Sequence, residues 1–426
     1  MKKTIIMFAA MFSLVGGCSL NSQSDIDDRS QLDNSAPNID TSQRPQIDKW
    51  SLWSDGAKLR GANIFQRRVY DDVDSGSLGS GAVGSPYTQV DLNALSNLGA
   101  NWIQISHPGL YSEKAPYQLD EDVQKNLDDI LVMAQNANMF VTIAFRTGPG
   151  RSEFTFYDKE DSDWFPDSYR DDKVWEDEDA QQAWAEMWKH VADRYKDNPI
   201  VAGYNLMVEP NAESRAFSNS LDSPDDFYPQ YADSPADWNQ FYPQIVNSIR
   251  SVDQNTPVIV GGMGYSAVAW LSYLQPSNDQ RLVYSVHQYD PFSYTHDEVR
   301  KSQYPGEYSY SGEKINLSED YLSNLFSNVA DYGQENSRPV TVDEFGIYRW
   351  KNGADKYIDA SMELMENNKI NYALWSWDST HHLKNFPTDD QFDFTHGSDK
   401  KNHRYVDNHL LNVIKKHWAR NSTRPY

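Results

Sequence analysis

Val201-Ala-Gly-Tyr-Asn-Leu-Met-Val-Glu-Pro-Asn211 decides how this chain is read. The apolar run has strand propensity and stops at Glu209-Pro210, which sets a carboxylate at the mouth of whatever sheet the strand joins. Arg338-Pro-Val-Thr-Val-Asp-Glu-Phe-Gly346 repeats the arrangement and closes on Glu344. A Glu at a strand end, taken alone, is more often a solvated loop residue. Two of them, each closing a strand, point to a repeating α/β fold that brings the pair together.

Strand-like and helix-like runs alternate on both sides of that stretch. Lys58–Phe65, Asn101–Ser106 and Met139–Phe145 read as strands before it. Pro257–Gly261, Leu282–Tyr289, Val340–Phe345 and Ile370–Trp377 read as strands after it. Helices are expected at Leu92–Leu98, Asp120–Asn136, Gln181–Tyr195, Trp238–Val252, Val268–Leu274, Ser318–Tyr332, Ala354–Asn367 and Tyr405–Trp418. Within Asp120–Asn136 the spacing of Val123, Leu127, Ile130, Leu131 and Ala134 marks one buried face. The alternation predicts an α/β fold, a (β/α)8 TIM barrel. Helix-to-strand connections are short. Strand-to-helix connections are long, at 146–180, 210–236, 290–317 and 378–404, and in this fold those loops surround the active site.

The N-terminus reads differently. Lys2 and Lys3, an apolar segment from Ile5 to Val15 and Gly16-Gly17-Cys18 have the order of an export signal, too short to span a bilayer. Val15-Gly-Gly-Cys18 resembles a bacterial lipobox, in which the Cys carries the lipid. Cys18 is the single cysteine of the chain, so no internal disulfide is possible. Residues 1–17 are expected to be a lipoprotein signal peptide and 18–48, rich in Ser, Asp, Asn and Gln, a flexible tether. Residues 49–426 would form the barrel. The expected place is an exported lipoprotein on a bacterial membrane surface, outer membrane or cell surface, held there by the lipid anchor.

A formal charge of −24, from 62 acidic and 38 basic residues, excludes nucleic acid as a partner on electrostatic grounds. Thirteen Trp and 26 Tyr suit both a core and a sugar-stacking cleft. His381, His382 and His396 match no metal-ligand spacing. No metal or cofactor is expected, and the chain is expected to be a monomer.

Four strand ends carry side chains suited to one reaction: Glu209, His287 with Tyr289, Glu344, and Trp375. Glycosidic hydrolysis needs one carboxylic acid to protonate the leaving oxygen and one carboxylate to attack or to activate water. A Tyr and a His beside the nucleophile would orient it, and an indole face would support the sugar ring. Each has a plainer alternative: His287 as a core histidine, Tyr289 as a packing aromatic, Trp375 as barrel filling. Trp377 shares the strand parity of Trp375 and could replace it as the platform.

From about Leu59 to Trp418 the sequence resembles glycoside hydrolase family 5, within the clan of retaining (β/α)8 glycosidases. The carriers are Glu209-Pro210, His287-Gln-Tyr289, Asp343-Glu344-Phe345-Gly346 and Leu374-Trp375. The resemblance implies Glu209 as acid/base, Glu344 as nucleophile, His287 and Tyr289 as catalytic helpers, and Trp375 under the reacting sugar. The substrate implied is a β-linked polysaccharide or oligosaccharide. Three positions depart from the family pattern: Val208 where an Asn usually precedes the acid/base, Gln104 where an Arg is usual, and Phe145-Arg146 where a His is usual. Arg146, with Arg151, is expected to supply the missing cation near Glu344, and Gln104 to stand in the substrate site. A catalytically inactive barrel that binds glycans and a transglycosylase using the same intermediate are the competing readings.

Overall fold

The computed structural model describes residues 32, 33, 35, 47–74, 76–157, 164–215, 223–296, 298, 302–310 and 313–426. The signal segment 1–17, Cys18 and most of the expected tether lie outside the described residues. Where the tether is described, it touches the barrel. Leu32 is buried, and the Asn97 side chain donates to the carbonyls of Asp33 and Ser35 at 2.9 and 3.0 Å.

Eight parallel strands close into a barrel: β1 (Arg60–Phe65), β2 (Trp102–Pro108), β3 (Phe140–Thr147), β4 (Val201–Asn205), β5 (Val258–Gly261), β6 (Leu282–Gln288), β7 (Val340–Phe345) and β8 (Asn371–Leu374). Each lies beside its sequence neighbour, and β8 returns to β1. The helices that cover the strands are α1 (Gln89–Asn97), α2 (Glu121–Asn136), α3 (Glu178–Tyr195), α4 (Trp238–Arg250), α5 (Glu319–Glu335), α6 (Ala354–Asn367) and α7 (His409–Trp418). The helix expected at Val268–Leu274 is a 3-10 segment, Val268–Tyr273.

Local chemistry explains these boundaries. In α2, Asp120 accepts from the backbone N–H of Val123, and Val123, Leu127, Ile130, Leu131 and Ala134 are all buried, as their spacing predicts. Thr88 and Asp91 form a reciprocal capping box that starts α1 three residues ahead of the expected Leu92. The last helix begins at His409 rather than Tyr405, because Asn408 is extended and its side chain caps Leu411. The loop after β6 carries an antiparallel hairpin, Gly306–Tyr310 with Glu313–Leu317, which the sequence reading missed.

The end of the barrel opposite the long loops is sealed by a short helix, Ser51–Ser54. Its Leu52 and Trp53 pack with Leu59, Trp102, Phe140, Ile259 and Val283. The Trp53 indole donates to the Ala202 carbonyl at 3.0 Å and meets Trp102 edge to face at 5.6 Å. With that end dry, access to the barrel axis is left to the strand C-termini.

Candidate active site

Within the barrel a polar layer lies above the apolar plug. Its centre is Asp343, fully buried on β7. Asn205 of β4 donates to Asp343 Oδ2 at 2.7 Å, and the Ser285 hydroxyl of β6 donates to Oδ1. The side chains of Asn63 and Gln104 donate to the Asp343 carbonyl at 2.8 and 3.1 Å. Burial pushes the Asp343 carboxyl up, against His287, Ser285 and Gln104, which hold it down.

A bulge turns this layer into a site. The pairing of β7 with β6 runs Val342 to Val286 and then Glu344 to His287, so one extra residue, Asp343, is accommodated. Strict alternation would put Asp343 and Glu344 on opposite faces. Here Asp343 reaches Asn205 and Ser285, while Glu344 meets Tyr289 and His287. Both acids face the axis. On β6 the alternation is kept, and Ser285, His287 and Tyr289 share one face in order from core to mouth.

Glu209 arrives by another route. β4 ends at Asn205, and the chain runs on through four residues in which Leu206 and Val208 still donate to the Ile259 and Phe145 carbonyls of the adjacent strands, while side chains take up the carbonyls. The indoles of Trp184 and Trp188 on α3 donate to the Leu206 carbonyl at 3.2 and 2.8 Å. Arg151 donates to the carbonyls of Val208 and Glu209 at 2.8 and 2.6 Å. Tyr265 N–H closes on the Pro210 carbonyl at 3.0 Å. Glu209 itself sits at φ 53°, a left-handed conformation that costs a non-glycine residue on the order of 1 kcal/mol and persists because these bonds fix it.

Glu209, His287 and Glu344 each place one polar atom within 4.8 Å of the others. His287 Nδ1 is 3.1 Å from Glu209 Oε1 and 3.6 Å from Glu344 Oε2, and its Nε2 is 3.5 Å from Asp343 Oδ1. Burial works against the imidazolium, but Glu344, Glu209 and Asp343 outweigh it and raise His287 to about 9. His287 is therefore a cation at neutral pH. The same three residues could close on a metal ion, but an imidazolium has no lone pair to give until it is deprotonated.

Tyr289 donates to Glu344 Oε1 at 2.8 Å. Burial pushes Glu344 up to about 7, helped by the charge of Glu209 and opposed by His287, Arg146 and Tyr289. Burial acts on Glu209 too, but its His287 hydrogen bond and the charges of His287, Arg146 and Arg151 bring it below the usual carboxylate range. The two acids thus hold one proton between them around neutrality, as closely spaced carboxylates do.

The other expected site residues fall into different places. Arg146 is at the site, but its partners are not the expected ones. Its Nε meets both oxygens of Glu153 at 3.0 and 3.1 Å, and its Nη1 stands 3.8 Å from Glu209. Its guanidinium lies 3.7 Å from the centre of the Phe156 ring. The cation is therefore directed at Glu209 more than at Glu344, although Glu344 still feels its charge. Arg151 is fully buried behind the Glu209 segment, with Nη1 and Nη2 both spent on backbone carbonyls and Asn211, so it is a scaffold rather than a sugar contact. Gln104 belongs to the buried layer below the acids and has no face open to substrate.

Trp375 follows β8 and is half-buried, its ring 5.7 Å from Phe65. Gly346 lets the chain after β7 pass close to the Trp375 backbone, since a Cβ there would stand 2.6 Å from the Trp375 carbonyl. Trp377, at the same parity, is buried, with its indole donated to the Asp91 carbonyl at 3.0 Å and its ring against Phe394. It cannot act as a platform.

The sequence reading missed Glu153, Asp343 and Phe65. Asp343 stood in plain view beside Glu344, but alternation assigns it to the outer face and only the bulge reverses that.

The family model for cellulase (glycosyl hydrolase family 5) matches residues 74–381. The chain belongs to glycosyl hydrolase family 5. Among the curated relatives of this family 5 chain, endoglucanase C of Acetivibrio thermocellus is 20% identical over 322 residues, which cover 68% of this chain and 83% of the relative. Among solved structures, a glycoside hydrolase superposes with a TM-score of 0.61 at 19% identity, over 84% of this chain and 99% of that one. Endoglucanase Cel5A of Thermotoga maritima gives 0.59 at 17% identity, over 86% and 100%. At such identities the superpositions speak for the barrel. Membership of the family makes this protein a retaining β-glycosidase, an enzyme that hydrolyses O-glycosyl bonds.

Proposed function

We propose that Glu209 is the acid/base and Glu344 the nucleophile of a retaining hydrolase that cleaves a β-linked poly- or oligosaccharide. The observation that carries this is the closeness of the two acids, whose polar atoms lie within 4.8 Å with His287 between them. Carboxylates of retaining glycosidases stand about 5 Å apart, and inverting ones are separated by roughly 6.5–9.5 Å to admit a water.

In the first step Glu344 attacks the anomeric carbon while Glu209 delivers its proton to the departing glycosidic oxygen. A glycosyl ester on Glu344 results. In the second, Glu209 takes a proton from water, the hydroxide attacks the same carbon, and Glu344 leaves as a carboxylate. Tyr289 holds Glu344 Oε1, which leaves Oε2 to attack. Oε2 is buried and has no hydrogen-bond partner among the described residues. His287 spans both acids and offsets their charge as the proton moves. Trp375 supports the reacting ring.

The proton must be on Glu209 at the moment of cleavage, whereas burial and the neighbouring charges favour it on Glu344. The names of the relatives, endoglucanases among them, support a β-glucan as the first substrate class to try.

The lipobox-like Val15–Cys18 and the polar stretch after it support a membrane-tethered enzyme, exported and acting on glycans outside the cytoplasm.

The test is product stereochemistry. On β-glucan oligomers of defined length, NMR taken before mutarotation is expected to show a β-anomer product, and Glu344→Gln and Glu209→Ala are each expected to lose at least 1000-fold in kcat. An α-anomer product would overturn the retaining mechanism, and wild-type rates in either variant would overturn the assignment.

A further inference from the structure

Arg146 is clamped at one end of its guanidinium and unspent at the other. The residue is 6% exposed, its Nε is held by both oxygens of Glu153, and its guanidinium carbon lies 3.7 Å from the centre of the Phe156 ring. Nη1 and Nη2 make no hydrogen bond among the described residues. Buried donors are ordinarily satisfied, so a fork fixed in place beside a cleft with its donors unspent is set for a ligand. The Phe65 ring stands 5.4 Å from this guanidinium and 5.7 Å from Trp375, so Arg146 and the indole border one space.

The fork faces the acid/base. Glu209 Oε1 accepts from His287 at 3.1 Å, which leaves Oε2 for the glycosidic oxygen. Nη1 is 3.8 Å from that Oε2, too far for a hydrogen bond and near enough for both to meet the same substrate. Glu344 feels the guanidinium as well. Arg146 therefore looks onto the place of the anomeric carbon, which the leaving oxygen quits and the nucleophile attacks.

That carbon has two neighbours in the sugar ring. One is the ring oxygen, which gains positive charge in the oxocarbenium-like transition state and is repelled by a guanidinium. The other is C2, whose hydroxyl lies about one hydrogen-bond length from the departing oxygen and whose hydrogen bonds strengthen in the transition state. Val208, next to Glu209 in the chain, is buried and has no polar side-chain atom to offer that hydroxyl. An anionic sugar suits the fork less well, because Glu153 already balances its charge and a protein of −24 repels uronic and sulfated glycans.

We infer that Arg146 binds the C2 hydroxyl of the ring under attack, donating to its oxygen from the guanidinium fork while the hydroxyl donates to Glu344. The inference rests on the retaining-hydrolase reading and adds the residue by which this chain reads position 2 of a neutral β-glycan. A hydroxyl that accepts from a cation becomes the better donor to the nucleophile, and burial strengthens both bonds.

The test is a cycle of two proteins and two substrates. para-Nitrophenyl β-cellobioside, and its analogue without the C2 hydroxyl on the ring that carries the nitrophenyl group, are given to wild type and to Arg146→Ala, and kcat/KM is read for each. Nitrophenolate leaves with little help from the proton of Glu209, so the change in that acid's titration has small effect. The intrinsic reactivity of each glycoside and the folded fraction of each protein cancel in the ratios. Loss of the hydroxyl is expected to cost wild type at least about tenfold more than it costs Arg146→Ala. A third glycoside, lacking the C6 hydroxyl of the same ring, should cost both proteins the same factor.

Equal C2 penalties in the two proteins overturn the contact and leave the hydrolase standing. So does an equally large difference at C6, which would mean a general loosening of the ring. If the melting curve of Arg146→Ala shows no folded protein, Arg146→Lys, which keeps the charge without the fork, takes its place, and a C2 penalty equal to that of wild type overturns the contact. A wild type that cleaves none of the three glycosides removes the hydrolase reading and the contact with it.

Discussion

Glu209 is held by an arginine that is itself held by an acid. Because Glu153 meets Arg146 through both of its oxygens, Glu153→Gln weakens the grip on the guanidinium and Arg146→Ala removes the charge altogether. Arg146→Ala is expected to lose more than tenfold in kcat/KM, and Glu153→Gln less. Arg146 lowers both catalytic acids, so the last proton of the pair leaves at a higher pH without it. The alkaline limb of the rate profile should therefore move upward in Arg146→Ala, and a limb that stays in place would remove Arg146 from the electrostatics of the pair.

Stability carries a second signature. Glu344 keeps its proton up to about 7 in the folded protein, against 4.5 for a free glutamate side chain. Between those values the folded chain binds more protons than the unfolded one, so this group's contribution to stability falls as pH rises through the window. Glu344→Gln removes the charge that appears there. Its melting temperature is expected to exceed wild type by a few degrees at pH 8 and to match it near pH 4.5. A gain that is the same at both pH values would mean that titration of Glu344 is not its source. His287 acts in the same sense in the next window up: raised from 6.5 to about 9, its contribution is full below 6.5 and lost as pH climbs through 9.

Among the elements, those that hold the site are the ones with the least regular structure. The loop after β8 is wound around Arg349, which is buried and donates to the carbonyls of Asp390, Gly397, Asp399 and Asn402. Arg349→Met leaves those carbonyls without their donor and is expected to loosen the wall that carries Asp389, Gln391 and Phe392. KM for long substrates should rise several-fold with kcat much less affected, as steady-state kinetics on oligomers of increasing length would show. The plug helix at the opposite end answers differently. Trp53→Ala opens a cavity in the bottom layer and should cost about 3–5 kcal/mol in denaturant unfolding, with kcat of the folded enzyme unchanged.

Helices of the barrel were legible because a stripe such as Val123, Leu127, Ile130, Leu131 and Ala134 has one explanation at that spacing. The hairpin in the loop after β6 was not, because Gly306–Tyr310 and Glu313–Leu317 lack a sustained apolar alternation. It is set by cross-strand pairing instead. The 3-10 segment Val268–Tyr273 escaped for a related reason: six residues are too few to separate one helical period from another.

At the scale of the whole molecule, charge and attachment act together. If Cys18 carries the lipid, Cys18→Ser should move the protein from the membrane fraction to the soluble one with kcat on small substrates unchanged. Retention of the variant on membranes would remove the anchor at that residue. A carrier of −24 charge is repelled by anionic lipid headgroups, so an anchored barrel would stand off the surface at the end of its polar stretch.

The sequence by itself determined the barrel, its order of strands and the two acids, Glu209 beyond β4 and Glu344 at the end of β7, because hydrophobic period and a carboxylate closing an apolar run are local properties of the chain. His287 and Tyr289 were legible as well, at alternate positions of one strand end; Ser285 below them was not singled out. The tertiary structure alone decided the rest. A bulge put Asp343 inside with Glu344, Arg151 and two indoles bent the backbone beyond Asn205 until Glu209 faced the axis, and Glu153 claimed the arginine expected to serve Glu344. It also chose Trp375 over Trp377 and placed Gln104 below the site. Most of these are contacts between residues distant in the chain, and even for Arg146 and Glu153, seven residues apart, no period or spacing in the sequence records which of the possible partners is met.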